Sequence, residues 1–156
     1  MKKIPLRNRK GAIRAYALVD DEDYEKLIQF RWCLSTGYAI TGRTKTWKGS
    51  ALMHRFILDC PKDQMLDHRN MNRLDNRKKN LRICTRQENG RNCKVSKSNT
   101  SGFKGVCWNS RDNLWVARVG NNYRNVFVGS FKRKEDAIKA HAKKCKELHK
   151  EFARLK

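Results

Sequence analysis

The residue types best suited to chemistry gather in one basic, asparagine-rich stretch, residues 65–92. Asp67 and His68 are adjacent, Asn80 follows twelve residues after the histidine, and Asn89 comes nine residues later. The oxygens of Asp67 and Asn89 suit a hard divalent cation, Mg²⁺ or Mn²⁺, which keeps waters and accepts phosphate oxygens. An imidazole with an ordinary pKa of about 6.5 can take a proton from water at neutral pH. This set of residues predicts metal-assisted hydrolysis of a phosphodiester bond, with His68 as the general base.

The elements that flank these residues are expected to bring them to one point. A short apolar lead ends at Asp67, and a second strand is predicted over residues 81–84. Thr85, with Glu88 three residues later, forms a capping-box signal, so a helix is predicted to start there and to hold Asn89 one turn inside. Strand, loop, strand and helix would then close on a single site.

This stretch resembles the HNH endonuclease family, in the homing-endonuclease-like branch whose signature reads Asp-His, then Asn, then Asn. The resemblance implies a ββα-metal unit in which Asp67 and Asn89 bind the Mg²⁺ or Mn²⁺ ion. It assigns catalytic roles to His68, as the general base, and to Asn80, which holds the loop and orients the histidine. The residue types alone also favour a loop-tying role for Asn80, because asparagine side chains readily bond backbone groups in turns.

Two features beside the signature support this interpretation. Arg69 and Arg82 are basic and flank the proposed site, and both are predicted to contact DNA. The preceding segment, His54-Arg55-Phe56-Ile57-Leu58, also resembles the homing-type branch, in which such a segment packs under the site.

Other interpretations of the same residues remain open. An isolated Asp-His pair is more often a surface turn, and asparagine-rich loops are common turn chemistry. The chain is alternatively a non-catalytic DNA-binding regulator that retains a vestigial HNH scaffold. A third interpretation is a structural RNA-binding protein, which is disfavoured because A-form RNA hides its major groove.

The end of the chain predicts a different module. Strand-like runs occupy residues 105–109, 114–119 and 123–131, and an amphipathic helix follows from Glu135. A three-stranded antiparallel sheet packed on one helix is the simplest way to bury both apolar faces.

Residues 101–156 resemble the Apetala-type DNA-binding domain of plant ethylene-response factors. The matching runs are Ser101-Gly102-Phe103-Lys104-Gly105-Val106, Leu114-Trp115-Val116-Ala117-Arg118-Val119, Val128-Gly129-Ser130-Phe131, Glu135-Asp136-Ala137 and His149-Lys150-Glu151-Phe152-Ala153. The resemblance implies that the sheet lies in the major groove, which is wide enough for strands.

Strand alternation divides the side chains of this predicted sheet into two faces. Val116 and five further residues are expected to face DNA, the five being Lys104, Asn109, Arg118, Asn125 and Phe127. Because Cys107, Asn109 and Asn125 stand where the plant domains carry guanine-reading arginines, phosphate contacts are expected to carry more of the affinity.

Charge and composition point to the same partner. The chain has 156 residues, with 37 Lys and Arg against 15 Asp and Glu, which gives a net charge of +22. Each third of the chain is basic, so a long surface along a polyanion is favoured over a single basic arm, and double-stranded DNA is the expected partner. No apolar run is long enough to span a bilayer, which excludes a membrane protein.

The remaining expectations concern organisation and location. The sequence predicts an α+β protein with an N-terminal α+β module over residues 1–53, an HNH nuclease unit over 54–92, a linker over 93–100 and the DNA-binding module over 101–156. In the first module, strands are expected over residues 13–19, 31–34, 38–43 and 51–53. Six scattered cysteines without a Cys-x-x-Cys pair predict reduced, mostly buried thiols. A monomer or weak dimer in the cytoplasm of a bacterial or phage-infected cell is expected.

Overall fold

The computed structural model describes residues 1–42, 49–61, 63–93, 95–96, 98–122 and 124–153, with only the backbone of Glu151. It confirms the α+β class, with several sheets and four helices in the described part. The chain divides into two compact units, Met1–Thr85 and Arg86–Lys156. This division falls at none of the three predicted module boundaries, and the four predicted modules stay predictions. The end of the strand expected over 38–43, the start of the one expected over 123–131, and residues 94 and 97 of the expected linker lie outside the described residues.

The first unit is built on a five-stranded sheet with strand order β2-β1-β3-β4-β5. Its elements are β1 (Lys2–Arg7), β2 (Ile13–Val19), α1 (Asp21–Ile28), β3 (Trp32–Ser35), β4 (Tyr38–Thr41), β5 (Ala51–Leu52) and α2 (Met53–Leu58). β1, which lies between β2 and β3, was not expected from the sequence, because only Ile4 and Leu6 alternate inward and Pro5 stands between them. β1 pairs antiparallel with β2 and parallel with β3.

One hydrophobic core holds this sheet and its two helices together. Leu6, Leu27 and Trp32 are fully or almost fully buried in it. Phe56 of α2 packs edge-on against Trp32, with ring centroids 6.2 Å apart. α2 was expected to belong to the nuclease unit. The structure packs it into the core of the N-terminal sheet, so this sheet and the candidate site share one helix.

A two-stranded antiparallel sheet completes the first unit. It consists of β6 (Met65–His68) and β7 (Leu81–Cys84), and a 3₁₀ turn over Lys78–Asn80 leads into β7. The loop between the two strands is the asparagine-rich segment of the sequence motif.

The second unit contains the predicted three-stranded antiparallel sheet packed on one helix. Its elements are α3 (Arg86–Arg91), β8 (Val106–Asn109), β9 (Leu114–Asn121), β10 (Arg124–Phe131) and α4 (Lys134–His149), followed by a 3₁₀ turn over Lys150–Phe152. Val106, Ala117 and Ala137 form its buried centre. Within the described part of the chain, none of the helices has the length and apolar character needed to cross a membrane.

All six cysteines are free thiols, in line with the expectation of reduced cysteines. Cys60, Cys84 and Cys145 are buried, whereas Cys93 and Cys107 are exposed. The expectation of mostly buried thiols therefore holds for only half of them.

Candidate functional site

The β6-β7 pair places Asp67 directly opposite Arg82. The guanidinium of Arg82 donates from Nε and Nη2 to Oδ2 of Asp67, at 2.9 and 2.7 Å. Both side chains are buried, with 7% and 8% of their surface exposed. Arg82 was predicted to contact DNA, but in the structure its guanidinium balances the charge of this carboxylate inside the unit. Its role towards DNA stays a prediction.

His68 ends β6 and lies beside Asp67 in the chain, with its side chain buried. Its Nε2 lies 3.3 Å from Oδ1 of Asn76, which is itself buried. Burial lowers the pKa of His68, and the hydrogen bond to Asn76 and the charge of Asp67 oppose that shift only in part. The imidazole is therefore neutral at pH 7, which is the protonation state that a general base requires.

The rings of Tyr38 and His54 pack around His68, and of these two only His54 was expected near the site from the sequence. We name Tyr38, His54 and His68 the ring cluster. The centroid of His54, on α2, lies 5.0 Å from that of His68, and the centroid of Tyr38, on β4, lies 6.1 Å from it. Burial, followed by the nearby His68 and Arg55, lowers the pKa of His54 to about 4. The guanidinium of Arg73 covers the Tyr38 ring at 4.6 Å, so the cluster is closed on that side by the loop.

Asn80 fastens the loop between β6 and β7 from inside. Its Oδ1 accepts a hydrogen bond from the backbone N–H of Asn70 at 3.0 Å, and its Nδ2 donates to the carbonyl of Asp75 at 2.7 Å. Its own carbonyl accepts from the N–H of Arg69 at 2.9 Å. These bonds are of the kind expected from its sequence context. Its catalytic role stays a prediction.

Asp75 is a second tether that sequence reasoning did not single out. Its carboxylate accepts from Arg77 at 2.6 and 2.7 Å and from Nδ2 of Asn70 at 2.9 Å. The hydrogen bond from Arg77 is the main reason that the pKa of Asp75 lies below its usual value. The density of Asn and Asp in the loop was the available signal, since such residues build turns.

The loop is also fastened from outside, to strand β2. The N–H of Leu18 donates to the carbonyl of Leu74 at 2.7 Å, and the N–H of Asn76 donates back to the carbonyl of Leu18 at 2.8 Å. Oδ2 of Asp20 accepts from the N–H of Lys78 at 2.7 Å. The loop that carries Asn76 is therefore held to the sheet by backbone bonds.

The predicted metal ligands lie in different units. Asp67 lies on β6, whereas Asn89 lies on α3, half-buried, in the unit that begins at Arg86. α3 starts directly after Thr85, at the predicted helix start. Among the described residues, no group of three or more His, Cys, Asp and Glu side chains is arranged to hold a metal ion. The roles of Asp67 and Asn89 as ligands stay predictions.

The residues predicted to contact DNA in the second unit lie on the sheet and beside it. Phe127 pairs with Arg118 across β10 and β9, and Asn125 pairs with Gly120, so the three predicted residues share one face. Phe127 is 60% exposed, and Arg118 and Asn125 are also exposed. Val116, which was expected to meet DNA on this face, is buried and offers no surface there.

The other predicted DNA contacts have partners within their own unit. Nδ2 of Asn109 donates to Asp112 at 2.6 Å across the turn after β8. Nζ of Lys104 donates to the carbonyl of Arg91 at 3.0 Å. In the first unit, Arg69 is exposed at the start of the loop. DNA contact by these residues stays a prediction.

Comparison with known proteins identifies one segment and two relatives. The HNH endonuclease family profile matches residues 59–91. Protein 3.8 of Escherichia phage T7 is 34% identical over 100 residues, 62% of this chain and 78% of the relative. A protein of Acanthamoeba polyphaga mimivirus, named an uncharacterized HNH endonuclease, is 29% identical over 145 residues, 88% of this chain and 73% of the relative. No solved structure matches the chain. The chain thus carries an HNH endonuclease domain and belongs to the same family as protein 3.8 of phage T7.

Proposed function

We propose that the protein is a metal-dependent DNA endonuclease of the homing type. The observation that carries the proposal is the buried, neutral imidazole of His68 next to the carboxylate of Asp67, within the segment that matches the HNH family. A neutral base beside a carboxylate that can hold a divalent ion is a pair that can promote hydrolysis of a phosphodiester bond.

His68 acts as the general base that takes a proton from the attacking water. The amide oxygen of Asn76 only accepts hydrogen bonds, so its contact with Nε2 places the proton of the neutral ring on Nε2. The neutral ring keeps one nitrogen lone pair, and this lone pair receives the proton of water in the proposal. Asn80 supports this geometry by fixing the loop that contains Asn76.

Asp67 and Asn89 would hold the divalent ion. A carboxylate and an amide oxygen are hard donors, and they fit Mg²⁺ or Mn²⁺. When bound, such an ion supplies positive charge beside the phosphate and its leaving oxygen. Arg82 keeps the carboxylate of Asp67 in one position, because two of its N–H groups donate to the same oxygen.

The second unit binds the duplex in this proposal. The ethylene-response-factor resemblance and the exposed face with Arg118, Asn125 and Phe127 support sheet binding in the major groove. Lys104, Asn109 and Arg69 would add contacts at its margins. The phage relative favours action in the cytoplasm of a bacterial or phage-infected cell, as a monomer or weak dimer.

Plasmid cleavage tests the proposal. We expect nicking or cutting with Mg²⁺, loss of cleavage with chelator, and a rate lowered about 10²–10⁴-fold by His68→Ala, because general-base catalysis is worth that much. Arg111→Ala, an exposed change in a turn of the second unit, is the matched control and should cleave as the wild type does. Cleavage that survives in His68→Ala would contradict the role of this histidine.

A DNA-binding regulator with a vestigial site is the second candidate. The observation that favours it is the buried ion pair of Asp67 with Arg82, because the carboxylate already has a cationic partner. Tight duplex binding by the wild type and His68→Ala, with no cleavage by either protein in Mg²⁺ or Mn²⁺, would support the regulator.

A further inference from the structure

The second unit contains a cavity of about 490 Å³ beside β9, between α3 and α4. Four Arg and Lys residues and two His residues contribute to its lining: Arg91, Lys104, Arg118, Arg124, His141 and His149. None of its described lining residues is Asp or Glu. A cavity with uncompensated positive charge selects an anionic ligand.

Several of these groups are held in place before any ligand arrives. Nζ of Lys104 donates to the carbonyl of Arg91 at 3.0 Å and to Sγ of Cys93 at 3.4 Å. Nη2 of Arg91 donates to Oδ1 of Asn121 at 3.2 Å. A preorganised charge loses less conformational entropy when an anion binds.

The wall of the cavity depends on Gly105. This residue has a φ of +64°, and a Cβ atom there would overlap the carbonyl of Arg118 and the imidazole of His141. The N–H of Arg118 also donates to the carbonyl of Gly105 at 2.7 Å. Only glycine allows the loop to approach β9 and α4 this closely.

Besides its basic side chains, the cavity has amide groups and an apolar wall. Asn121, Asn122 and Asn125 supply amide groups, which both donate and accept hydrogen bonds as base edges do. Val119 and Cys145 are buried and supply an apolar wall. Pockets of roughly 300–1,000 Å³ suit small organic ligands, so this volume is in the range of a whole nucleotide unit.

We propose that this cavity binds one nucleotide unit, with its phosphate on the basic side chains and its base against the amides and the apolar wall. The proposal rests on the proposed DNA-binding role of the second unit and extends it from paired DNA to an unpaired nucleotide. The nucleotide has two possible sources, an unpaired residue of a DNA strand or a free mononucleotide.

Fluorescence polarisation on the full chain separates these sources. The probes are a labelled paired duplex and the same duplex with one bulged nucleotide, and the competitors are dAMP and inorganic phosphate. An unpaired residue as the source predicts a preference of about tenfold or more for the bulged duplex. A free mononucleotide as the source predicts displacement of the duplex by dAMP without a bulge preference, because Arg118 and Asn125 line the cavity and also lie on the face proposed to bind the duplex.

The test variant is Arg91→Ala with Arg124→Ala, and Arg124→Ala alone is a milder variant at an exposed position. Arg111→Ala with Lys132→Ala removes the same charge outside the cavity and is the matched control. The bulge preference or the dAMP competition should be lost in the double variant, reduced in the single variant and kept in the control.

Three results would overturn the proposal. The first is equal binding of both duplexes without competition by dAMP, the second is competition by phosphate as strong as that by dAMP, and the third is an equal response of the test and control variants. Plasmid cleavage, measured on the same proteins, tests the proposed endonuclease function independently of the cavity proposal. Cleavage by the wild type together with any of the three results would reject only the cavity proposal.

Discussion

The basic side chains around the candidate site and those that line the cavity of the second unit have different partners. Around the candidate site of the first unit, Arg82 pairs with Asp67, Arg77 with Asp75 and Lys78 with Glu22, at 2.7, 2.6 and 2.5 Å. In the second unit, the basic residues that line the cavity have no carboxylate among the described lining residues. A net charge of +22 therefore does not say which cations are available to DNA. A basic side chain that is paired with a carboxylate is less available to DNA, and the structure shows which side chains are paired in this way.

Among the changes considered, removal of one member of the buried ion pair should lower the free energy of unfolding most. Arg82→Ala leaves the carboxylate of Asp67 buried without this partner, and we expect the free energy of unfolding to fall by about 3–5 kcal/mol. Urea denaturation measures the loss. The double change Asp67→Leu with Arg82→Met should cost much less, because no buried charge is left. Equal losses for the single and double changes would show that the charge is not the cause.

The ring cluster predicts a dependence of stability on pH. The pKa of His54 is about 4 in the folded chain, against an ordinary value of 6.5, so between these values the unfolded chain binds a proton that the folded chain does not. The free energy of unfolding should therefore fall as pH falls from 6.5 to 4, by about 3 kcal/mol at most.

Denaturation of His54→Gln across this range checks the assignment. The variant should show a shallower slope, while burial of the other histidines leaves part of the dependence in place. An unchanged slope would contradict a buried, neutral His54.

The loop tethers give a smaller effect. Asn80→Ala removes two side-chain hydrogen bonds from a buried position, and we expect a loss of about 1–3 kcal/mol in the free energy of unfolding. Asn72→Ala is the matched control, because Asn72 makes its side-chain bond to Leu74 N–H in the same loop but is exposed. If the free energy of unfolding fell by similar amounts in the two variants, burial would not be the reason that Asn80 contributes to stability.

The smallest change in stability is expected for Arg118, an exposed residue of a cavity whose described lining contains no carboxylate. Arg118→Ala should alter the free energy of unfolding by less than about 0.5 kcal/mol, because the side chain is exposed. It should instead weaken duplex binding and lower the salt slope of the binding constant by about 1 if the guanidinium contacts a phosphate. Binding measured at several salt concentrations checks this, with Arg111→Ala as the control. Unchanged DNA affinity would remove Arg118 from the interface.

Local patterns predicted much of this fold. The three strands and the long helix α4 of the second unit follow from alternation and helical periodicity within short segments, and the start of α3 follows from Thr85 and Glu88. β1 was missed because two inward residues around a proline give a weak signal. The burial of Val116 was not predicted, because alternation shows on which face of a sheet a side chain lies but not whether other residues cover that face.

The candidate site depends on contacts that no local pattern contains. The pairing of Asp67 with Arg82 needs the register of β6 on β7. The contact of Tyr38 and His54 with His68 needs β4, α2 and β6 to fold together. The sequence motif located Asp67, His68 and Asn80, but their partners are set by the tertiary structure.

The backbone bonds between Leu18 and the loop have a consequence for the outer edge of the large sheet. β2 is the last strand on that side, and an open strand edge invites pairing with a second chain. Both the N–H and the carbonyl of Leu18 are already engaged by the loop. Intermolecular strand addition at Leu18 would have to displace the loop segment that carries Asn76, the hydrogen-bond partner of His68, so pairing at this point and the present arrangement of the candidate site exclude each other.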